Sequence, residues 1–225
     1  MLGLDTRATM DMDMTIKETF VDVESINRIF SEIISIALED NITFELQGIS
    51  EIREDDEYPG YRVSLTGNFP PMSVPLKLDI TTGDKVTPRE IEFEYKLLFE
   101  EKSIPILAYN IETILAEKLE TIISRGDQST RLRDYYDVYI LKKLQYSHVN
   151  KEILKQALIA TSIKRETLDV IKSYAQIITT VKTSETMNKQ WGKYQASFDY
   201  AKEVAFVDAC DAVLEVLDDT AFDSF

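Results

Sequence analysis

Apolar and polar residues alternate near the start of the chain, in a pattern that predicts a β-strand. Four apolar residues alternate with four polar ones over residues 9–16, namely Met10, Met12, Met14 and Ile16 against Thr9, Asp11, Asp13 and Thr15. A period of two places neighbouring side chains on opposite faces of a strand. Asp11 and Asp13 therefore project from one face, against an apolar back.

Further periodic segments follow and predict a mixed set of elements. Apolar residues recur at helical spacing over residues 23–39, whereas strand-like segments follow at 41–52, 61–66, 74–81 and 90–97. Pro59-Gly60, after an acidic run, predicts the turn of a hairpin. Gly83-Asp84 predicts a turn between the last two of these strands.

The periodicity changes to helical at Asn110 and remains so, with short breaks near Gly126 and Ser147. We therefore expect an α+β protein. Its first part, residues 1–104, is predicted to be a small mixed sheet with helices, and residues 105–225 are predicted to form a mainly helical region.

Composition narrows the class of protein. The chain has 225 residues, of which 44% are apolar and 10% aromatic, enough for one sizeable core or two small ones. The single cysteine, Cys210, excludes an internal disulfide framework and is predicted to be a small core residue. Neither a secretory signal nor an apolar run long enough for a membrane span is recognisable. We expect a cytoplasmic protein with no membrane partner.

Charge is unevenly distributed. The net charge of −15 argues against indiscriminate binding of nucleic acid, but residues 101–202 carry 16 basic and 12 acidic residues, a net charge of +4. That segment could contact an anionic partner such as RNA, and a scattered solvated surface is an equally good interpretation.

The Asp-x-Asp strand carries the first candidate chemistry. Two carboxylates held close together repel each other, and a hard divalent cation converts that repulsion into ligation. On the strand predicted at 74–81, Asp79 alternates with apolar residues and could add a third carboxylate, either as a ligand or as a base. The alternatives are a solvated strand face for Asp11 and Asp13, and an ordinary exposed Lys77–Asp79 pair.

The helical region carries the second candidate group. Lys118 stands beside the apolar stripe of a helix predicted to begin at Asn110, where a flexible ammonium could reach a polyphosphate. Asp134 and Asp137 are three residues apart and so share a helix face. The alternatives are an ordinary exposed lysine at position 118 and a helix N-terminal role for Asp134.

These motifs, taken in order, resemble the AbiEii/AbiGii toxin family of abortive-infection and toxin–antitoxin systems, whose members have the nucleotidyltransferase fold. The matching segments are Arg7-Ala8-Thr9-Met10-Asp11-Met12-Asp13, Asp79, Ala116-Glu117-Lys118-Leu119 and Arg133-Asp134-Tyr135-Tyr136-Asp137. The resemblance implies Mg²⁺ or Mn²⁺ at Asp11 and Asp13 and nucleotide phosphates near Lys118. It also implies a functional Asp134, with Asp137 near the same pocket, and an antitoxin encoded nearby.

One family feature is not found at the start of the chain. Members carry a Gly-Gly or Gly-Ser turn upstream of the Asp-x-Asp strand, where backbone amides bind the triphosphate. Only ten residues precede Asp11, and Gly3 is their single glycine. We expect this phosphate-binding turn to be missing, through a misplaced start codon or a natural truncation.

The sequence thus predicts a metal-dependent nucleotidyltransferase that uses a nucleoside triphosphate and modifies a hydroxyl of RNA, such as tRNA, or of protein. Asp11 and Asp13 would bind the metal, with Asp79 as a further ligand or as the base. Lys118 would contact phosphate. Two alternatives stay open: a catalytically silent binding module, and a phosphotransferase or kinase-like enzyme whose metal lies on the face shared by Asp134 and Asp137.

Overall fold

The computed structural model describes residues 12–17, 21–37, 40–52, 60–97 and 100–222. They fall into two compact units, the first ending at Asp84 and the second beginning at Lys85. The boundary predicted at residue 104 instead lies within a strand of the second unit, Ser103–Ala108. Asp11 and the predicted turn residue Pro59 lie outside the described residues.

The first unit is a mixed four-stranded sheet with one helix. Its elements are β1 (Met12–Ile16), α1 (Val23–Ile34), β2 (Thr43–Ile52), β3 (Gly60–Phe69) and β4 (Met72–Thr82). The strand order is β1-β4-β3-β2; β1 runs parallel to β4, and the other neighbours are antiparallel. The predicted small mixed sheet is thus confirmed, and β3 and β4 are longer than the strands predicted at 61–66 and 74–81.

Helix α1 covers one face of this sheet. Asp22 begins the helix by accepting a hydrogen bond from the backbone of Ser25, and Ile26 and Phe30 lie in the apolar core on the helix side. Val21 and four strand residues, Tyr61, Val63, Leu65 and Ile80, complete the buried cluster. Because side chains alternate along a strand, the residues between them project from the opposite, polar face.

The second unit begins with a hairpin and continues as helices. The hairpin pairs β5 (Ile91–Lys96) with β6 (Ser103–Ala108). The α-helices are α2 (Ile111–Arg125), α3 (Leu132–Gln145), α4 (Lys151–Lys164), α5 (Leu168–Ile171), α6 (Tyr174–Thr183), α7 (Glu185–Ser197) and α8 (Phe206–Asp218). The predicted helical region is confirmed, and its predicted breaks are single 3₁₀ turns at Gly126–Gln128 and Tyr146–His148. Strand β6 was not predicted.

Aromatic residues join α7 and α8 in the core of the second unit. Trp191 is buried, donates from Nε1 to the carbonyl oxygen of Val204 at 2.9 Å, and packs against Phe206 with ring centroids 5.3 Å apart. Cys210 is also fully buried, as predicted, and burial raises the pKa of its thiol to about 12. A thiol of that pKa is a poor nucleophile at neutral pH. In the described part of the chain, no helix is both long and apolar enough to cross a membrane.

Helix α2 is fixed at its N-terminus and along its length. The buried Asn110 accepts from the backbone N–H of Thr113, and its side-chain amide donates to the carbonyl oxygens of Thr87 and Arg89 at 2.7 and 3.1 Å. Further along, the buried carboxylate of Glu120 accepts from Thr167 at 2.9 Å and forms an ion pair with Arg165. These contacts determine where α2 places Lys118.

We expect Asn110→Ala to lower the free energy of unfolding by about 2–3 kcal/mol, since it removes both the helix cap and one donor to each of two carbonyl oxygens. Asn150→Ala is the matched control, because Asn150 caps α4 through its side-chain oxygen but is exposed. It should cost about 1 kcal/mol. Urea denaturation measures both changes. Equal losses would mean that the bonds to Thr87 and Arg89 add no stability.

Candidate functional site

Two carboxylates meet on the polar face of the first unit. In the parallel pair of β1 and β4, Asp13 is the direct partner of Asp79, and Thr15 is the partner of Thr81. Partners in register project from the same face of a sheet. Asp13 is exposed and Asp79 half-buried. The structure therefore brings together two of the three predicted metal ligands; the third, Asp11, lies outside the described residues.

Arg62 holds Asp79 from the other side. It lies on β3 as the register partner of Asp79, and its Nε and Nη2 atoms donate to Oδ1 and Oδ2 of Asp79, each at 2.7 Å. This is a bidentate pair of the kind in which guanidinium and carboxylate geometries match. Sequence patterns did not indicate this pair, because it depends on strand register.

A hydroxyl cluster adjoins the carboxylate pair on the same face. The hydroxyl oxygens of Thr15 and Thr81 lie 2.8 Å apart, and both contact the carboxylate of Asp84, with Thr15 donating to it at 2.9 Å. This cluster links β1 to β4 and to Asp84 in the predicted Gly83-Asp84 turn. Asp84 was not among the predicted site residues.

The donor chemistry of this face suits magnesium. The described residues contain no group of three or more candidate metal ligands. Mg²⁺ nevertheless keeps several waters and is commonly bound by only one or two carboxylates together with substrate phosphates. Asp13 and Asp79 supply two such carboxylates on one face.

A second cluster lies within the helical unit and contains the other three predicted residues. The Lys118 ammonium donates to Oδ1 of Asp134 at 3.1 Å and to Oδ2 of Asp137 at 2.7 Å. The side chains of Asp134 and Asp137 are 1% and 8% exposed, compared with 21% for Lys118. Lys118 is thus not an ordinary exposed lysine, and the predicted shared face of Asp134 and Asp137 is confirmed by their common partner.

Arg131 completes this cluster and was missed by the sequence interpretation. Its Nε donates to Oδ2 of Asp134 at 2.7 Å, so each oxygen of Asp134 has a cationic partner. Burial is the largest influence on the pKa of Asp134 and raises it. Lys118 and Arg131 together outweigh burial, so the pKa lies below its ordinary value of 3.8. The i,i+3 spacing of Arg131 and Asp134 was a signal that could have revealed this pair.

The charge balance of the helical cluster bears on what it can bind. Two carboxylates face two cations, so a divalent metal there would first have to displace Lys118 or Arg131. The ammonium of Lys118 has three N–H donors, and two are directed at Asp134 and Asp137. The remaining donor could contact an anion such as phosphate. This arrangement disfavours the kinase-like alternative, which needs a metal at Asp134 and Asp137.

Comparison with known proteins adds one family match. A sequence model of the family described as the nucleotidyl transferase AbiEii toxin of type IV toxin–antitoxin systems matches residues 1–216. No curated protein matches the chain.

Two crystal structures of Helicobacter pylori proteins match the chain at low similarity. JHP933 is 18% identical, with a TM-score of 0.43 and coverage of 97% of this chain and 79% of its own. A candidate nucleotidyltransferase is 17% identical, with a TM-score of 0.44 and coverage of 96% and 80%. Both similarities are distant, and the family assignment rests on the family model.

We expect Asp134→Asn to destabilise the protein by about 1–3 kcal/mol at pH 7, because it replaces a buried, doubly paired carboxylate. A carboxyl whose pKa is lowered by folding stabilises the folded state above its ordinary pKa and loses that contribution as the pH falls through the lowered value. The difference between wild type and Asp134→Asn should therefore shrink as the pH falls below about 4. Urea denaturation at a series of pH values measures this difference.

The control is Asp169→Asn, since Asp169 is 97% exposed in its ion pair with Lys172. It should produce no measurable destabilisation at any of these pH values. A pH-independent loss of stability in Asp134→Asn would contradict the proposed source of the effect.

Proposed function

The chain belongs to the AbiEii nucleotidyl transferase toxin family of type IV toxin–antitoxin systems, and we propose that it is a metal-dependent enzyme that transfers a nucleotidyl group from a nucleoside triphosphate to a hydroxyl of RNA. The observation that carries this proposal is the register of β1 and β4, which aligns Asp13 with Asp79 on one face. An antitoxin counterpart goes with the family.

The reaction is a displacement at the α-phosphorus. The acceptor oxygen forms a bond to that phosphorus, the bond to the bridging oxygen of the β-phosphate breaks, and pyrophosphate leaves with the bonding electrons. The acceptor hydroxyl must lose its proton. We assign one of two roles to Asp79: it accepts that proton, or it binds the metal. A bound Mg²⁺ would supply charge neutralisation at the phosphates.

We assign metal binding to Asp13 and Asp79, and also to Asp11 on the strength of the family resemblance. Asp13 is suited to this role because it is exposed while its partner Asp79 is half-buried and held in place. A rigid carboxylate beside an accessible one offers the cation one fixed and one adaptable ligand.

We assign phosphate binding to Lys118, with Asp134 and Asp137 orienting its ammonium. An ammonium on a four-carbon stem keeps its conformational freedom unless other groups restrain it. Two buried carboxylates at 3.1 and 2.7 Å provide that restraint, and 21% of the side chain stays accessible to a ligand. In this proposal Asp134 and Asp137 act on the substrate through Lys118.

The RNA acceptor is supported by the basic balance of residues 101–202, with 16 basic and 12 acidic residues. Phosphate-rich polymers bind such surfaces through electrostatic attraction. A protein acceptor is the competing substrate class, and labelling experiments distinguish the two.

We expect Mn²⁺ with a nucleoside triphosphate to raise the midpoint of thermal unfolding, because a ligand that binds only the folded state stabilises it. Asp13→Asn should abolish most of that increase. The matched control is Asp208→Asn, which removes one exposed carboxylate at the start of α8 and should leave the increase intact. An equal increase in wild type and Asp13→Asn would exclude Asp13 as a metal ligand.

Incubation of the protein with α-³²P-labelled nucleoside triphosphates and total cellular RNA or protein tests the transfer itself. We expect label in RNA, and loss of at least about 100-fold in the rate for Asp79→Ala or Lys118→Ala, the size typical of a lost electrostatic or acid–base group. Lys142→Ala is the control, since Lys142 pairs with Glu215 on the surface between α3 and α8.

Three outcomes redirect the proposal. Label in protein but not in RNA would mean that the acceptor is a protein. Transfer that is unaffected by Asp79→Ala and Lys118→Ala would place the active site elsewhere. No transfer to either acceptor, with metal and nucleotide still bound, would favour the catalytically silent binding module.

A further inference from the structure

Arg62 makes two contacts with Asp79, the carboxylate that we propose as a metal ligand. Its Nε and Nη2 atoms each lie 2.7 Å from one oxygen of Asp79. A carboxylate can accept more than one contact per oxygen, but a guanidinium and a divalent cation on the same oxygens repel each other. Arg62 and the metal therefore compete for Asp79.

The position of Arg62 allows it to give way. Its side chain is 41% exposed, compared with 19% for Asp79. Its register partner on the opposite side, on β2, is the small and exposed Ser50. Asp79, by contrast, lies between Arg62 on β3 and Asp13 on β1.

We propose that Arg62 is a positioning residue that holds Asp79 in the metal-free protein and releases at least one of its oxygens when a divalent cation binds at Asp13 and Asp79. The inference rests on the proposed function, because it takes the metal to bind at these two carboxylates. In the metal-free state the guanidinium also offsets the repulsion between Asp13 and Asp79. Arg62 thereby lowers the affinity of the protein for metal alone. It also keeps the carboxylate of Asp79 in position before the metal binds.

The test is the binding of Mn²⁺ alone to the full chain, followed by the electron paramagnetic resonance signal of free Mn²⁺. Arg62→Gln should bind Mn²⁺ about tenfold more tightly than wild type, since one charge-assisted bidentate competitor is removed. Arg62→Lys keeps the charge but loses the fork geometry, and should fall between the two. A residue with only a structural role would, when removed, weaken metal binding or leave it unchanged.

Lys77→Gln is the matched control. Lys77 lies on β4 two residues before Asp79, so it is on the same face, and it is exposed. Its removal changes the local charge by the same amount as Arg62→Gln without removing a contact to Asp79. We expect less than a threefold change in Mn²⁺ affinity for this variant, as for an exposed charge a few ångströms further away.

A double-mutant cycle identifies the carboxylate through which Arg62 acts. In an Asp79→Asn background, Arg62→Gln should no longer tighten Mn²⁺ binding, because the shared partner is gone. Circular dichroism of each variant establishes that it is folded, and Arg62→Lys serves in place of Arg62→Gln should the glutamine variant be unfolded.

The outcomes separate this inference from the proposed function. Unchanged or weaker Mn²⁺ binding in a folded Arg62 variant overturns the inference while leaving the metal site intact, provided that Asp13→Asn still abolishes binding. An equal gain in Lys77→Gln overturns it as well, since the effect would then be one of general charge. Absence of Mn²⁺ binding by every protein, wild type included, overturns the inference, whereas the proposed function is decided by the thermal shift with Mn²⁺ and a nucleoside triphosphate together.

Discussion

Parallel pairing of β1 with β4 is the interaction on which the polar face of the first unit depends. β1 has only five residues, and a shift of one residue would turn Asp13 to the opposite face. The register is reinforced by hydroxyl contacts: Thr15 and Thr81 meet across the pair, and both contact Asp84. The cluster therefore fixes β1 along its length, and with it the alignment of Asp13 and Asp79.

The two candidate groups differ in how far their carboxylates are paired with cations. On the sheet, Arg62 pairs with Asp79 while Asp13 stays exposed to solvent, so the group retains negative character. In the helical unit, Asp134 and Asp137 are buried and share Lys118, and Arg131 adds a second cation. An unpaired charge costs more free energy when it is buried. The buried carboxylates of the helical unit therefore need full pairing with cations, whereas the exposed Asp13 on the sheet does not. The sheet group is consequently the better site for a cation.

Local patterns in the sequence predicted most of the elements and the pairs Asp11/Asp13 and Asp134/Asp137, because each pair depends on spacing within one strand or helix. Asp134 and Asp137 share a partner for this reason. The contacts of Lys118 with Asp134 and Asp137 join two different helices, which local spacing does not determine. Arg62 could not be found in this way, since its contact with Asp79 depends on which strands pair and in what register. Strand β6 lacks a polar alternation and contains Pro105, so its sequence did not resemble a half-buried strand.

The contacts of Lys118 show a structural role and are compatible with a functional role as well. Asp134 is 1% exposed, and a buried carboxylate without its cation would cost more than the ion pair itself contributes. Stability alone therefore explains why a cation faces Asp134, and Arg131 already supplies one to its second oxygen. It does not explain why 21% of the Lys118 side chain stays exposed, or why one of its N–H groups is not directed at Asp134 or Asp137. An ammonium that is oriented by buried acids, on a side chain that stays partly exposed, suits the phosphate binding that we propose for Lys118.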